Sequence, residues 1–160
     1  MSQPRLAVVP RAVALLLRLY LGGVFIAACW YKIAEPQAFA LSIATYDMLP
    51  LELINAMAIT LPWIELLCGL CLILGWWTRA AALAIAGMMV MFVVALASAL
   101  ARDLQLSCGC FASADADEDI NAATMVRDLL WLAGAAFVLV VDDGRWGLDG
   151  LVRRRGRERI

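Results

Sequence analysis

The sequence predicts an all-α protein: a four-helix transmembrane bundle with one further helix lying at its outer interface. Three observations lead there. The 160 residues are 64% hydrophobic and only 17% charged, against about 45–50% and about 25% in ordinary soluble domains. A chain this short cannot bury so much apolar surface inside itself, so lipid is its expected solvent. The apolar residues also gather into four long runs, and the arginines collect on one side of the topology that those runs define.

The runs cover about 11–31, 55–75, 80–101 and 123–141. Each approaches the roughly 20 residues needed to cross about 30 Å of hydrocarbon. The third carries no charge at all, whereas the fourth holds Arg127 and Asp128 in its first turns. The first is not read as a signal peptide, because no A-x-A site follows it and Cys29-Trp30-Tyr31 reads as an interfacial end. No polar, glycine-rich or proline-rich linker separates the runs, so residues 1–160 are read as one membrane domain.

With four spans, Arg5, Arg11, Arg79, Arg145, Arg153, Arg154, Arg155, Arg157 and Arg159 share one side. Lys32, Arg102 and Arg127 occupy the other. The positive-inside rule then puts both termini in the cytoplasm, with a basic cytoplasmic tail at 144–160. Loops 32–54 and 102–122 face outward, into a periplasm if the membrane is a bacterial inner membrane. In the first of these loops Phe39, Ile43 and Tyr46 recur at helical spacing between Pro36 and Pro50, which predicts the interfacial helix. The turn "GWWTR" at 75–79 reads as a tight inner hairpin anchored by tryptophans. The arginine tail is explained as a topology signal against anionic lipid. A net charge of −1 gives no reason to expect nucleic acid.

The chemistry concentrates at "CGCF". Cys108 and Cys110 lie on the side that permits disulfides. A ring closed between cysteines two apart needs a sharp bend, which Gly109 makes accessible. Such a ring is strained and easily reduced, and therefore oxidising toward other thiols. Arg102 and Arg127 would stabilise a thiolate there; Asp115, Asp117, Glu118 and Asp119 would oppose it. The plainer alternative is a permanent structural clip. Cys29, at the outer end of the first span, is a candidate relay, although a lone buried cysteine usually serves packing. Cys68 and Cys71 spell C-x-x-C, but they fall inside an apolar span without a neighbouring cation, so packing is the expected role. The chain has no histidine, which disfavours zinc and removes the usual haem ligand, and no metal site is expected.

Glu65 lies near the middle of the second span. A carboxylate there costs about 2.5–3.5 kcal/mol on insertion scales, so it must be neutral, paired or facing a polar cavity. Arg18, in the inner third of the first span, is the expected partner. A proton-relay or quinone-site role is the alternative. No cofactor is required; a membrane quinone is the one class that the sequence keeps open.

In order and wording, "WYKIAEPQAFALSIATYDMLP" (30–50), "LPWIELLCGLCLILG" (61–75), "CGCF" (108–111) and "RDLLWL" (127–132) resemble the MauE/DoxX group of small four-span membrane proteins, the methylamine-utilisation MauE branch most of all. The family pattern carries onto Lys32, Pro36, Phe39, Tyr46, Pro50, Pro62, Glu65, Gly69, Gly75, Cys108, Gly109, Cys110, Phe111, Arg127 and Asp128. Ala112 departs from it where glycine is expected, as do Cys68 and Cys71 where aliphatics would fit. The resemblance implies maturation of the disulfide-rich small subunit of methylamine dehydrogenase, beside a thioredoxin-fold periplasmic partner. The expected function is thus thiol–disulfide exchange by Cys108 and Cys110, with Cys29 as relay and Gly109, Glu65, Arg18 and Arg127 in support. Two rivals are a quinone-linked DoxX-type oxidoreductase subunit centred on Glu65 and a non-catalytic membrane scaffold.

Overall fold

Helix α1 (Val8–Ala34) carries Pro10 in its first turn, where a missing N–H costs nothing. It stops before Glu35-Pro36, because proline pushes the preceding residue out of the helical region, and Glu35 has φ −128° and ψ 68°. Proline then opens α2 (Pro36–Ala44) as the first helical residue. Helix α3 (Leu51–Leu74) starts after Pro50 and keeps Pro62 inside it. Helix α4 (Thr78–Ala101), α5 (Ala122–Val141) and α6 (Leu148–Arg157) complete the order. The computed structural model describes residues 8–104, 122–142, 144 and 146–157, with side chains over 10–104, 123–142, 144 and 146–152. Cys108, Gly109, Cys110 and the acidic stretch 115–119 lie outside the described residues.

Among the described residues there is no strand, and four helices are long and apolar enough to cross a membrane: Pro10–Ala34, Leu51–Leu74, Thr78–Ala101 and Ala123–Val141. The all-α four-span architecture is therefore present. Helix α1 packs on α3 and α5, and α4 packs on α5 and α3, so the spans form a ring in the order α1–α3–α4–α5. Large side chains such as Leu16, Leu67, Leu83 and Val140 point outward, as lipid-facing positions should. We call the end with the start of α1, the α3–α4 turn and α6 the basal end. The other end, with α2 and the ends of α4 and α5 that flank residues 105–121, is the apical end.

Helices in lipid gain little from the hydrophobic effect against one another, so close backbone packing has to replace it. Gly22 and Gly69 supply that approach between α1 and α3. A Cβ on Gly22 would lie 2.9 Å from the Gly69 carbonyl oxygen, and one on Gly69 would lie 3.0 Å from that of Gly22. Leu21, Phe25, Leu72, Ile85 and Val138 fill the interior. Cys68 and Cys71 pack against this core as partly buried hydrophobes.

The helix predicted from Phe39, Ile43 and Tyr46 forms over Pro36–Ala44, with Phe39 and Ile43 on it and Tyr46 in the turn just past its end. Its Phe39 is buried and joins the core cluster, so that face of α2 is turned to the bundle. The tail departs from expectation. From the sequence, the residues ahead of the arginine run 153–159 are assigned no contact with the bundle, whereas the start of α6 docks on the α3–α4 turn through Asp149. Asp149 accepts hydrogen bonds from the backbone N–H of Trp77 and of Thr78, both at 3.1 Å. Its own N–H donates to the Gly75 carbonyl at 3.0 Å. Gly75 adopts φ +66°, and a Cβ there would meet Gly147 at 2.7 Å; glycine is required on both counts. Asp149 caps α4 from outside that helix, so no local pattern near residue 77 announces it.

Candidate functional site: a buried ion-pair cluster beneath the apical loop

The charged residues within the spans sort into two groups. At the basal end Arg18 is 1% exposed. Its guanidinium donates to Asp142 Oδ2 at 3.1 Å and to the Trp146 carbonyl at 3.0 Å. At the apical end Lys32 Nζ donates to both Glu65 oxygens, at 2.8 and 2.9 Å. Lys32 is 3% exposed and Glu65 2%. The expected Arg18–Glu65 pair therefore does not form, and Lys32 takes the place of Arg18.

The reason lies in helix geometry. Side chains lean toward the N-terminus of their own helix. Arg18 thus leans to the basal end of α1, away from Glu65. Lys32, near the other end of α1, leans back into the bundle. Glu65 sits on the antiparallel α3 and leans apically. The two side chains approach from opposite directions, and the Gly22–Gly69 contact sets the register in which they meet.

Around this pair stands a largely aromatic shell. Lys32 Nζ lies 5.0 Å from the centre of the Phe39 ring and 5.3 Å from that of Phe92, an arrangement that stabilises an ammonium removed from water. A narrow cavity lined by Lys32, Glu65, Met89, Phe92, Asp128 and Trp131 brings the α5 carboxylate to the same place. Asp128 is 2% exposed and accepts from Arg127 Nε at 3.4 Å. The Arg127 guanidinium lies 5.0 Å from the Trp131 ring centre. Four spans thus contribute to one polar interior: Lys32 from α1, Glu65 from α3, Phe92 from α4 and Asp128 from α5.

Cys29 is 1% exposed and donates through Sγ to the Ile26 carbonyl at 3.1 Å. It stands one turn before Lys32 on the same face of α1. Outside the spans, Tyr46 is buried, and that burial pushes its phenol above the ordinary tyrosine range, with the negative charge of Asp128 adding to the effect. The Tyr46 carbonyl also accepts from the Arg102 guanidinium. Arg102 itself closes α4 and donates to the Ser98 carbonyl at 3.2 Å. The segment that carries Cys108 and Cys110 accordingly leaves α4 at Arg102 and returns at Ala122, beside the apical end of this cluster.

Of the anticipated residues, Cys29, Glu65 and Arg127 are brought to this end, Arg18 is not, and Cys108, Gly109 and Cys110 lie outside the described residues. Sequence reasoning gave Lys32 and Tyr46 no role beyond the family pattern, read Arg127 and Asp128 as satisfying each other, which their 3.4 Å contact does, and missed Asp142 altogether. A usable signal existed for Lys32: a lone lysine just inside the end of a span, with a mid-span carboxylate on the next helix. Among the described residues no group of histidine, cysteine or carboxylate side chains could hold a metal ion.

This geometry defines a small multi-pass membrane protein with a charge-paired polar interior at one end of its bundle. Residues 10–141 match the family described as "Methylamine utilisation protein MauE", and the chain belongs to that family. No curated protein and no solved structure matches it.

Proposed function

We propose that this protein is a thiol–disulfide exchange protein of the bacterial inner membrane, acting outside that membrane in methylamine utilisation. Cys108 and Cys110 are the exchanging pair. A thiolate of a disulfide-rich exported client, or of a thioredoxin-fold carrier serving it, attacks one sulfur of the Cys108–Cys110 disulfide. A mixed disulfide forms and the other cysteine leaves as a thiolate. The client's second thiol then displaces the first bond. The client gains a disulfide, and Cys108 and Cys110 become a dithiol holding the two electrons and two protons given up.

The observation that carries this reading is the tether. The CGC segment is strung between Arg102 and Ala122, both at the apical end, where the Lys32–Glu65 pair, Asp128 and Cys29 are gathered. Membership of the MauE family supports the pathway, and the arginine asymmetry of the chain supports the outer location. The role of the buried pair is to fasten α1 to α3 behind the loop.

Trapping tests it. In a Cys110→Ala variant, Cys108 should hold the client as a mixed disulfide that survives non-reducing electrophoresis and disappears with reductant. A membrane-impermeant maleimide should label Cys108 and Cys110 in whole cells after mild reduction, and leave Cys68 and Cys71 unlabelled. Full function in a Cys108→Ala/Cys110→Ala variant would overturn the proposal and favour a scaffold.

A further inference from the structure

Helix α6 is fastened to the bundle at its start. Arg18 donates to the Trp146 carbonyl at 3.0 Å, and the Asp149 N–H donates to the Gly75 carbonyl at 3.0 Å. Gly150, next to Asp149, is buried. The other side of the helix is bare. Leu148, Leu151 and Val152, spaced i, i+3 and i+4, form one stripe that is 40%, 55% and 67% exposed. The turn on which α6 docks joins two spans, Leu51–Leu74 and Thr78–Ala101, so it lies at the depth where hydrocarbon gives way to headgroups. Trp76 and Trp77 in that turn, and Trp146 just ahead of α6, are exposed, as an interfacial aromatic belt is.

We infer that α6 lies in the headgroup layer of the basal leaflet and binds anionic phospholipid there, with its apolar stripe turned to the acyl boundary and its positive charge drawn to the phosphates. Three features select this occupant. Charge alone suffices for a topology signal, whereas an exposed apolar face on a basic helix needs something to cover it, and the acyl boundary does so. Residues 153–159 hold five arginines against Glu158 alone, which complements a negative surface better than a zwitterionic one. A second copy of the chain, pairing stripe to stripe, would bring those arginines against one another.

This inference goes beyond the exchange reading and does not rest on it. It gives lipid charge a route into the bundle. Seating α6 in the headgroups holds Gly147 against Gly75, where a Cβ on Gly75 would stand 2.7 Å from the Gly147 α carbon. It also keeps Asp149 on the Trp77 and Thr78 N–H groups that begin α4. A ligand that binds the docked form alone stabilises that form by mass action, so anionic lipid tightens α6 and the α3–α4 turn together.

The test is hydrogen exchange of the full chain, one chain per nanodisc, in phosphatidylcholine alone and in phosphatidylcholine mixed with phosphatidylglycerol. Amides of residues 150–157 should exchange about tenfold more slowly when phosphatidylglycerol is present. Those of Trp77 and Thr78 should slow with them, and added salt should weaken the effect. Arg153→Gln/Arg154→Gln/Arg155→Gln/Arg157→Gln should abolish the difference between the lipids. Leu151→Ser/Val152→Ser, which keeps every charge, should lose most of the protection. Each variant is read where it keeps the parent's thermal midpoint, and the comparison of lipids on the parent decides without either. Equal exchange in the two lipids, the same protection from inorganic phosphate added to plain phosphatidylcholine discs, or full protection in a folded Leu151→Ser/Val152→Ser protein would overturn the lipid site. Protection that appears only in discs holding two chains would overturn it in favour of self-association.

Discussion

Lys32 and Glu65 meet at 2.8 and 2.9 Å in an interior that leaves neither more than 3% exposed. One comes from the last turns of α1 and the other from the middle of α3. In hydrocarbon neither charge is tolerable alone. Together, and with the rings of Phe39 and Phe92 around the ammonium, they convert two liabilities into a fixed contact between antiparallel helices. The contact binds α1 to α3 near the end where the CGC segment is attached.

Removing one partner should therefore hurt more than removing both. Lys32→Met or Glu65→Leu leaves a buried charge uncompensated, at about 3–5 kcal/mol. The Lys32→Met/Glu65→Leu double variant should recover most of that loss. Thermal unfolding of the four proteins in detergent measures the cycle; a double-variant loss equal to the sum of the two single losses would show that the pair is not coupled.

The glycines of α1 give a sharper contrast. Gly22→Val places a side chain against Ile73 and the Gly69 carbonyl, and should cost about 1–3 kcal/mol or more. Gly23→Ala, with nothing within 4 Å of its Cβ, should be neutral or slightly stabilising, since alanine is the better helix former. Unfolding midpoints in the same detergent decide between them.

Asp149 joins α6 to the turn ahead of α4. Asp149→Ala strips the acceptor from the Trp77 and Thr78 N–H groups and should cost about 1 kcal/mol, as loss of an N-cap does. It should also raise the protease sensitivity of the C-terminal segment. Unchanged cleavage after Leu148 would mean that the cap does not hold α6.

Tyr46 supplies a dependence on pH. Its phenol is held neutral by burial and by the nearby charge of Asp128, so its pKa exceeds the unfolded value of about 10. A raised folded pKa gives stability that is complete below about pH 10 and is lost as pH climbs through the folded value. Ultraviolet titration should show late phenol ionisation, and Tyr46→Phe should remove one phenol's worth of it. The variant should also lose less stability than the parent across that alkaline window.

How much of this the chain announces depends on the range of each signal. Hydropathy is local, and it placed four spans close to their observed limits. Pro36 and the spacing of Phe39 and Ile43 likewise marked α2, because proline and periodicity act over a few residues. Glu65 stood out because a carboxylate in a long apolar run has no local excuse. Its partner did not stand out. Choosing between Arg18 and Lys32 requires the axial offset of α1 against α3, and that offset comes from the Gly22–Gly69 approach. Glycine pairs in separate helices carry no mark of being neighbours.

The amino-acid order by itself determined that this is a four-span membrane protein and that the CGC segment joins its third span to its fourth. Only the tertiary structure decided that Lys32 pairs with Glu65, that Arg18 pairs with Asp142, and that Asp149 caps α4. The reason is physical. Transfer into lipid is settled residue by residue along a helix, whereas a buried charge is neutralised by whichever opposite charge the packing of several helices carries within reach.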